Sequence, residues 1–453
     1  MRMATINPET VIAGSKFNKF HLLVFIWCFI AIASDGFDIA VYGLGLPQMM
    51  NDFDITPAAA GAVGSYAMMG MMAGTFVLGA LTDVIGRKRI LAICLVMIGL
   101  FNFLAGFAPN ATVFVIFRFI ASIGMGGLMP AVISLMAEYS PRKNRAMIVA
   151  LMYCGYSIGT IGASLLGIYF LEYLSWRLFF WISIFTVIIT PFFLKQFPES
   201  ITFHVARGNK DKIADILNKA TGTENYSVRD HYEITDTDTA EKGVPFKKIF
   251  NERKTLSTIM FWIAVICCLM MIAGLGTWLP NIMQESGYGV SSAMIFTITL
   301  AIGQMSGSLA GGYMVDKIGH RNVLLTLLGT GAAAFILLSL TSNAFLLYIL
   351  IAAAGACTAG SQNLINPYIT MYYPPDVRGA GLSAAVGMGR IGSITGPLLI
   401  GWVLMTNMPA QLSFLGFAVP CLFAFCALLF VQEQHGAEVQ KGRIRKAEEA
   451  IIS

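Results

Sequence analysis

Long apolar runs alternate with short polar breaks along the whole of this chain. A run of about 17–25 apolar residues is long enough to cross a hydrocarbon core of ~30 Å at ~1.5 Å per residue, so each such run predicts one transmembrane helix. Twelve are present, at about 20–47, 59–82, 90–108, 112–138, 147–170, 176–196, 256–282, 292–315, 322–340, 345–371, 381–405 and 411–431. A polar stretch, 197–255, separates the first six from the last six. Within it, Asp211 to Lys219 mixes apolar and charged residues at helical spacing and predicts a short amphipathic helix, whereas Thr221–Gly243 reads as loop. The chain therefore divides into an N-terminal segment 1–19, a six-helix bundle 20–196, a central linker 197–255, a second bundle 256–431 and a tail 432–453.

The two halves repeat each other. Gly79-Ala-Leu-Thr-Asp83-Val-Ile-Gly86-Arg87-Lys88-Arg89 follows the second span, and Gly312-Tyr-Met-Val-Asp316-Lys-Ile-Gly319-His320-Arg321 follows the eighth. One offset, 233, relates Gly79 to Gly312, Asp83 to Asp316 and Gly86 to Gly319, and it also takes Gly159 to Gly392. One displacement matching separated places indicates tandem duplication. Arg390 corresponds to Ser157, so its charge belongs to one half only.

Composition agrees with the pattern. Of 453 residues, 56% are hydrophobic and 12% charged, with a mean hydropathy of +0.70; soluble domains carry about 25% charged residues. Of the 30 lysines and arginines, 27 fall in the terminal segments and the even-numbered loops, which places both termini in the cytoplasm. The eight cysteines lie in apolar runs without a CxxC and read as packing residues. The five histidines sit at span ends or in loops, so no intramembrane metal site is expected. No cleaved signal peptide is indicated.

Charges inside the spans carry the candidate chemistry. Asp35 and Asp38 lie one helical turn apart in the first span, on one face. A carboxylate at membrane depth costs at least ~2.5–3.5 kcal/mol and belongs in a protein interior or wet cavity. Either the two aspartates are structural, or at least one binds and releases a proton, because low dielectric disfavours its ionisation. Arg118 in the fourth span and Arg390 in the eleventh match a carboxylate through paired hydrogen bonds. Phe37, Tyr42, Tyr156, Trp278 and Tyr368 are candidate flat faces for a ring, with packing as the alternative. Gln304, Asn363 and Asn366 could bond a substrate or join helices. Glu138, near Pro141 and Arg142, either pairs with loop arginines or serves a proton path.

The Gly79–Arg89 loop, with its weaker second copy, resembles the signature of the major facilitator superfamily. Asp35-Gly36-Phe37-Asp38 resembles the first-span motif of its aromatic acid:proton symporters. So do Phe117-Arg118-Phe119 through Gly124-Met-Gly126-Gly127-Leu-Met-Pro130, ending Glu138-Tyr139-Ser140-Pro141. Trp278-Leu279-Pro280 and Gly389-Arg390-Ile391-Gly392-x-x-x-Gly396-Pro397 are similar too, so the resemblance covers about residues 16–430. Ser122 and His320 depart from the pattern, where glycine and arginine are usual.

The resemblance implies an all-α polytopic membrane protein, with twelve transmembrane helices in two pseudo-symmetric six-helix bundles. It implies a multi-pass symporter of the bacterial inner membrane, importing benzoate or a hydroxybenzoate with protons by alternating access. First and fourth spans are neighbours in that fold, so Arg118 would bind substrate, neutralise a first-span aspartate, or alternate between them. Gly79, Asp83, Gly86, Arg87, Lys88, Gly312, Asp316, Gly319 and Arg321 would form a conformational gating motif. The proton is the coupling ion; no other cofactor, metal or nucleic acid is called for, and a monomer suffices. A dicarboxylate such as muconate and a drug/proton exporter of the same fold are the alternatives. No Walker or His-Glu-x-x-His motif is present to suggest an ATP-driven pump or a metalloprotease.

Overall fold

A computed structural model of the protein describes residues 5–171, 173–233, 250, 254–374, 377–406 and 408–433. A short strand β1 (Thr5–Ile6) and helix α1 (Pro8–Gly14) precede the first long helices: α2 (Lys19–Phe53), α3 (Pro57–Ile85), α4 (Arg87–Ala105), α5 (Ala111–Glu138) and α6 (Arg145–Phe170). The sixth span is α7 (Arg177–Ile182) running into α8 (Ile184–Gln196). The short α9 (Ile201–Ala206), α10 (Lys210–Thr221) and β2 (His231–Tyr232) follow. The second half holds α11 (Thr255–Glu285), α12 (Val290–Ile318), α13 (His320–Leu338), α14 (Ala344–Gly355), α15 (Ser361–Tyr372), α16 (Arg378–Leu404) and α17 (Leu415–Leu429).

Eleven stretches among the described residues are long and apolar enough to cross a membrane. The twelfth expected span, 381–405, is α16. At 27 residues it is long enough, about 40 Å at 1.5 Å per residue, but Arg390 and its many glycines dilute its apolar character. Outward rings such as Phe76, Phe185, Trp402 and Phe423 are more than half exposed, as suits contact with lipid. The amphipathic helix expected at 211–219 is present as α10. Thr221–Gly243 was expected to be loop throughout; β2 lies in it, and residues beyond 233 lie outside those described.

The chain forms two compact units. The first comprises Met1–Val41, Tyr66–Leu166 and Tyr173–Asp238; the second comprises Tyr42–Ser65, Gly167–Glu172 and Thr239–Ser453. In the first unit, segments outside the spans fold onto the membrane helices. β1 pairs in parallel with β2, and Asn18 donates to the Lys219 and Ala220 carbonyls that end α10. Ile12, Ile201, Ile213, Leu217 and Tyr232 join one apolar cluster with Leu91, Leu128 and Leu135 of the spans. Sequence alone read these polar-flanked pieces as separate; burial of their few apolar residues joins them.

In the second unit, glycines let backbones approach. A side chain at Gly43 would strike the Gly276 and Thr277 carbonyls, and one at Gly61 the carbonyl of Pro397. Ser65 Oγ donates to the Ile394 carbonyl at 2.6 Å.

Candidate functional site

The aspartates owe their placement to a glycine crossing. A Cβ on Gly36 of α2 would collide with the backbone of Tyr156 in α6, and one on Gly159 would collide with Ala33. Thr160 Oγ1 donates to the Gly36 carbonyl at 3.2 Å. This close approach leaves Asp35 1% and Asp38 2% exposed. Arg118 projects from α5, 3% exposed, and its Nη1 donates to Asp38 Oδ1 at 2.6 Å and Oδ2 at 2.8 Å. The same nitrogen donates at 2.8 Å to Asn102 Oδ1, and Asn102 Nδ2 donates back to Asp38. The guanidinium carbon lies 5.6 Å from the centre of the Phe180 ring.

Asn102, fully buried in α4, was not singled out from sequence. Its signal was a lone amide within an apolar run, which in a membrane needs a partner. The three side chains make a closed network in which one charge answers another. Removing one member of such a buried pair costs about 3–5 kcal/mol, because the other is left uncompensated.

At the end of α5 a second network forms. Glu138 Oε2 meets Arg87 Nη1 at 2.5 Å. Ser200 Oγ donates to both carboxylate oxygens, and the Ile201 and Thr202 amides donate to Oε1. Glu199 Oε1 accepts from the Lys88 amide at 2.9 Å, and Tyr139 donates to the Glu199 carbonyl at 2.5 Å. Gly86, with φ of +105°, makes the turn between α3 and α4 that a side chain would strain. Of the two expected roles for Glu138, ion pairing is the one its contacts display; its partner is Arg87. Ser200 and Tyr139 in this network were not proposed as site residues. Beside it, burial and the nearby Lys212 and Lys88 push the His204 imidazole down to about 4.

The other candidates scatter. Tyr42 donates to the Ala60 carbonyl at 2.6 Å and Trp278 to the Pro397 carbonyl at 2.9 Å, so their polar atoms serve packing. Tyr368 stands at the end of α15, donating to Glu433 at 3.0 Å and stacked on His320, beside Arg321. Gln304 is buried, whereas Asn363 is exposed and bonds Ser308 at 2.9 Å. Asn366 accepts from Gln362 at 3.3 Å. Phe37, Tyr156 and Arg390 are half-buried. Gly79 and Gly312 face open space, and Gly319 repeats the positive φ of Gly86 at +82°. The side chains of Asp83 and Asp316 lie outside those described.

The pattern of the Major Facilitator Superfamily matches residues 28–311 and again 261–452. The chain belongs to the major facilitator superfamily. This major facilitator protein is 36% identical over 434 residues to the benzoate transport protein of Acinetobacter baylyi, covering 95% of this chain and 93% of that one. It is 29% identical to the gallate transporter of Pseudomonas putida over 94% of this chain and 95% of that one. To the 4-hydroxybenzoate transporter of Acinetobacter baylyi the identity is 28%, over 89% of each chain. The resemblance to aromatic acid transporters carried by Asp35-Gly36-Phe37-Asp38 is thereby borne out. The xylose transporter XylE from E. coli, in a partially occluded inward open conformation, superposes with a TM-score of 0.75 at 16% identity, over 92% of this chain and 99% of that one. At that identity the likeness is one of fold. The protein is a membrane transporter and not an enzyme.

Proposed function

We propose that the protein imports a small aromatic carboxylate of the benzoate or hydroxybenzoate class together with protons, by alternating access across a bacterial inner membrane. The observation that carries this reading is the buried Asp38–Arg118–Asn102 network. A guanidinium already engaged by an internal carboxylate can exchange it for a substrate carboxylate once that aspartate is neutralised, and a proton is the smallest neutralising agent. With Asp38 protonated, Asn102 Oδ1 still holds Arg118 in place to meet the anion. Asp35, buried one turn away, is the second candidate proton carrier. Arg390 supplies a guanidinium in the second half.

The relatives named for benzoate, gallate and 4-hydroxybenzoate support the substrate class. Lysines and arginines concentrated on the loops that share a side with both termini support cytoplasmic ends. If two protons accompany each monoanion, the membrane potential contributes ~2.3 kcal/mol per 100 mV for the net charge moved.

Uptake of radiolabelled benzoate into cells expressing the protein, with and without a protonophore, tests both parts. Accumulation above the empty-vector control that the protonophore abolishes is the expected result. No uptake by any benzoate or hydroxybenzoate, in protein shown to be inserted, overturns the substrate class; accumulation indifferent to the protonophore overturns the coupling.

A further inference from the structure

The tenth span is not one regular helix. Between α14 and α15 the residues Ala356–Gly360 form a π-helical turn, which inserts an extra residue and re-aims the side chains that follow. Such turns recur at functional sites. The two residues immediately after it, Ser361 and Gln362, are 0% and 7% exposed. Ser361 Oγ and Gln362 Oε1 have no hydrogen-bond partner among the described residues. Other buried hydroxyls in this half bond a carbonyl one turn back, as Thr297 does to Ala293 and Thr358 to Gly355. Buried polar atoms are normally satisfied, so an orphan acceptor beside a π turn calls for a ligand group.

Gln362 is also oriented. Its Nε2 donates to Asn366 Oδ1 at 3.3 Å, which leaves Oε1 as a pure acceptor. It lies on α15, which packs on α16, the helix that carries Arg390. The two helices run antiparallel from the turn between them. At 1.5 Å per residue Gln362 is about 16 Å from Tyr373, and Arg390 is about 19 Å from Val377. The backbone positions of Gln362 and Arg390 therefore lie at about the same depth of one hairpin.

We infer that Gln362 accepts a hydrogen bond from a ring hydroxyl of a substrate whose carboxylate pairs with Arg390, and so selects hydroxylated aromatic acids over unsubstituted ones. The inference rests on the aromatic-carboxylate reading above and narrows it. The unpartnered Oε1 acceptor suits a phenolic O–H donor.

The test is competition against radiolabelled benzoate uptake by unlabelled benzoate and by 2-, 3- and 4-hydroxybenzoate, in cells with surface expression measured. The ratio of half-inhibitory concentrations is the readout, so a general fall in transport cancels. In the unaltered protein at least one hydroxybenzoate should compete roughly 5–10-fold better than benzoate, the worth of one neutral hydrogen bond. Gln362→Met should bring that ratio to about 1. Asn366→Val, which frees the amide to turn, should lower it by roughly half that range and serves if Gln362→Met is not inserted. A ratio near 1 in the unaltered protein, or one left unchanged by either inserted variant, overturns the inference while benzoate uptake leaves the parent reading standing. Absence of all aromatic acid uptake overturns both.

Discussion

The two halves carry the same turn at the end of their second spans and hold it by different forces. Gly86 and Gly319, related by the offset of 233, both adopt positive φ, +105° and +82°. Tyr139 donates to the carbonyl of Glu199 at 2.5 Å, and its counterpart Tyr372 donates to the carbonyl of Gln432, the counterpart of Glu199, at 3.3 Å. The turn and the tyrosine strut have thus survived duplication. The charge has not. Arg87 is matched by His320, which stacks on Tyr368, and Glu138 by Met371. In place of the half-buried Arg87–Glu138 pair at 2.5 Å, with side chains 21% and 6% exposed, the second half has Arg321 and Glu433 at 3.8 Å with side chains 30% and 46% exposed. Asp38, Arg118 and Asn102 likewise correspond to Met271, Ile351 and Phe335. Geometry was inherited by both halves, whereas the membrane-buried Asp38–Arg118 pair belongs to the first. Shape can be kept by packing alone, but a buried charge persists only where a partner answers it.

Asp38→Asn should lower proton-driven accumulation by roughly 100-fold, the worth of a charged hydrogen-bond network, while substrate counterflow between equal pools persists in proteoliposomes. Equal loss of both would make Asp38 structural. Glu138→Gln leaves the half-buried Arg87 without its counter-charge and should destabilise by about 2 kcal/mol, seen as a fall in Tm in detergent.

His204 makes the stability of the first half sensitive to pH. Its folded value, about 4, lies below the ordinary 6.5, so the unfolded chain binds a proton that the folded one refuses. The stability from neutral His204 is full above about 6.5 and is lost as pH falls toward 4. Tm should therefore decline across that window, and His204→Leu should flatten the decline.

Tyr139→Phe should cost about 1 kcal/mol and Tyr372→Phe less, following the lengths of their hydrogen bonds. Glu433→Gln should change stability by no more than about 0.5 kcal/mol, because its partner is distant and hydrated. If Glu433→Gln matched Glu138→Gln, the contrast between halves would fail.

Much of this was legible before the structure. Hydropathy located the spans because lipid enforces long apolar helices, and it weakened only at α16, where Arg390 and glycines dilute the apolar run. Asp35, Asp38 and Arg118 stood out because charge in such runs is rare. Asn102 was passed over, since a neutral amide leaves no mark on a charge map. Tyr139 and Tyr372 could have been paired by extending the 233 offset, but their acceptors are backbone carbonyls, which no side-chain pattern reveals. The π turn at Ala356–Gly360 was hidden, as its sequence differs little from the small-residue stretches around it.

The pairing of β1 with β2 has a consequence for biogenesis. Thr5 waits for His231, and the whole of the first bundle lies between them in the chain. At ~5–20 residues per second, a ribosome takes roughly 10–45 s to deliver the second strand after the first. During that interval β1 has no partner strand, although Ile12 of the same segment can already pack against Leu91, Leu128 and Leu135 of the spans. The β1–β2 pairing can thus form only once the first bundle has been delivered, at about the time translation begins on the second.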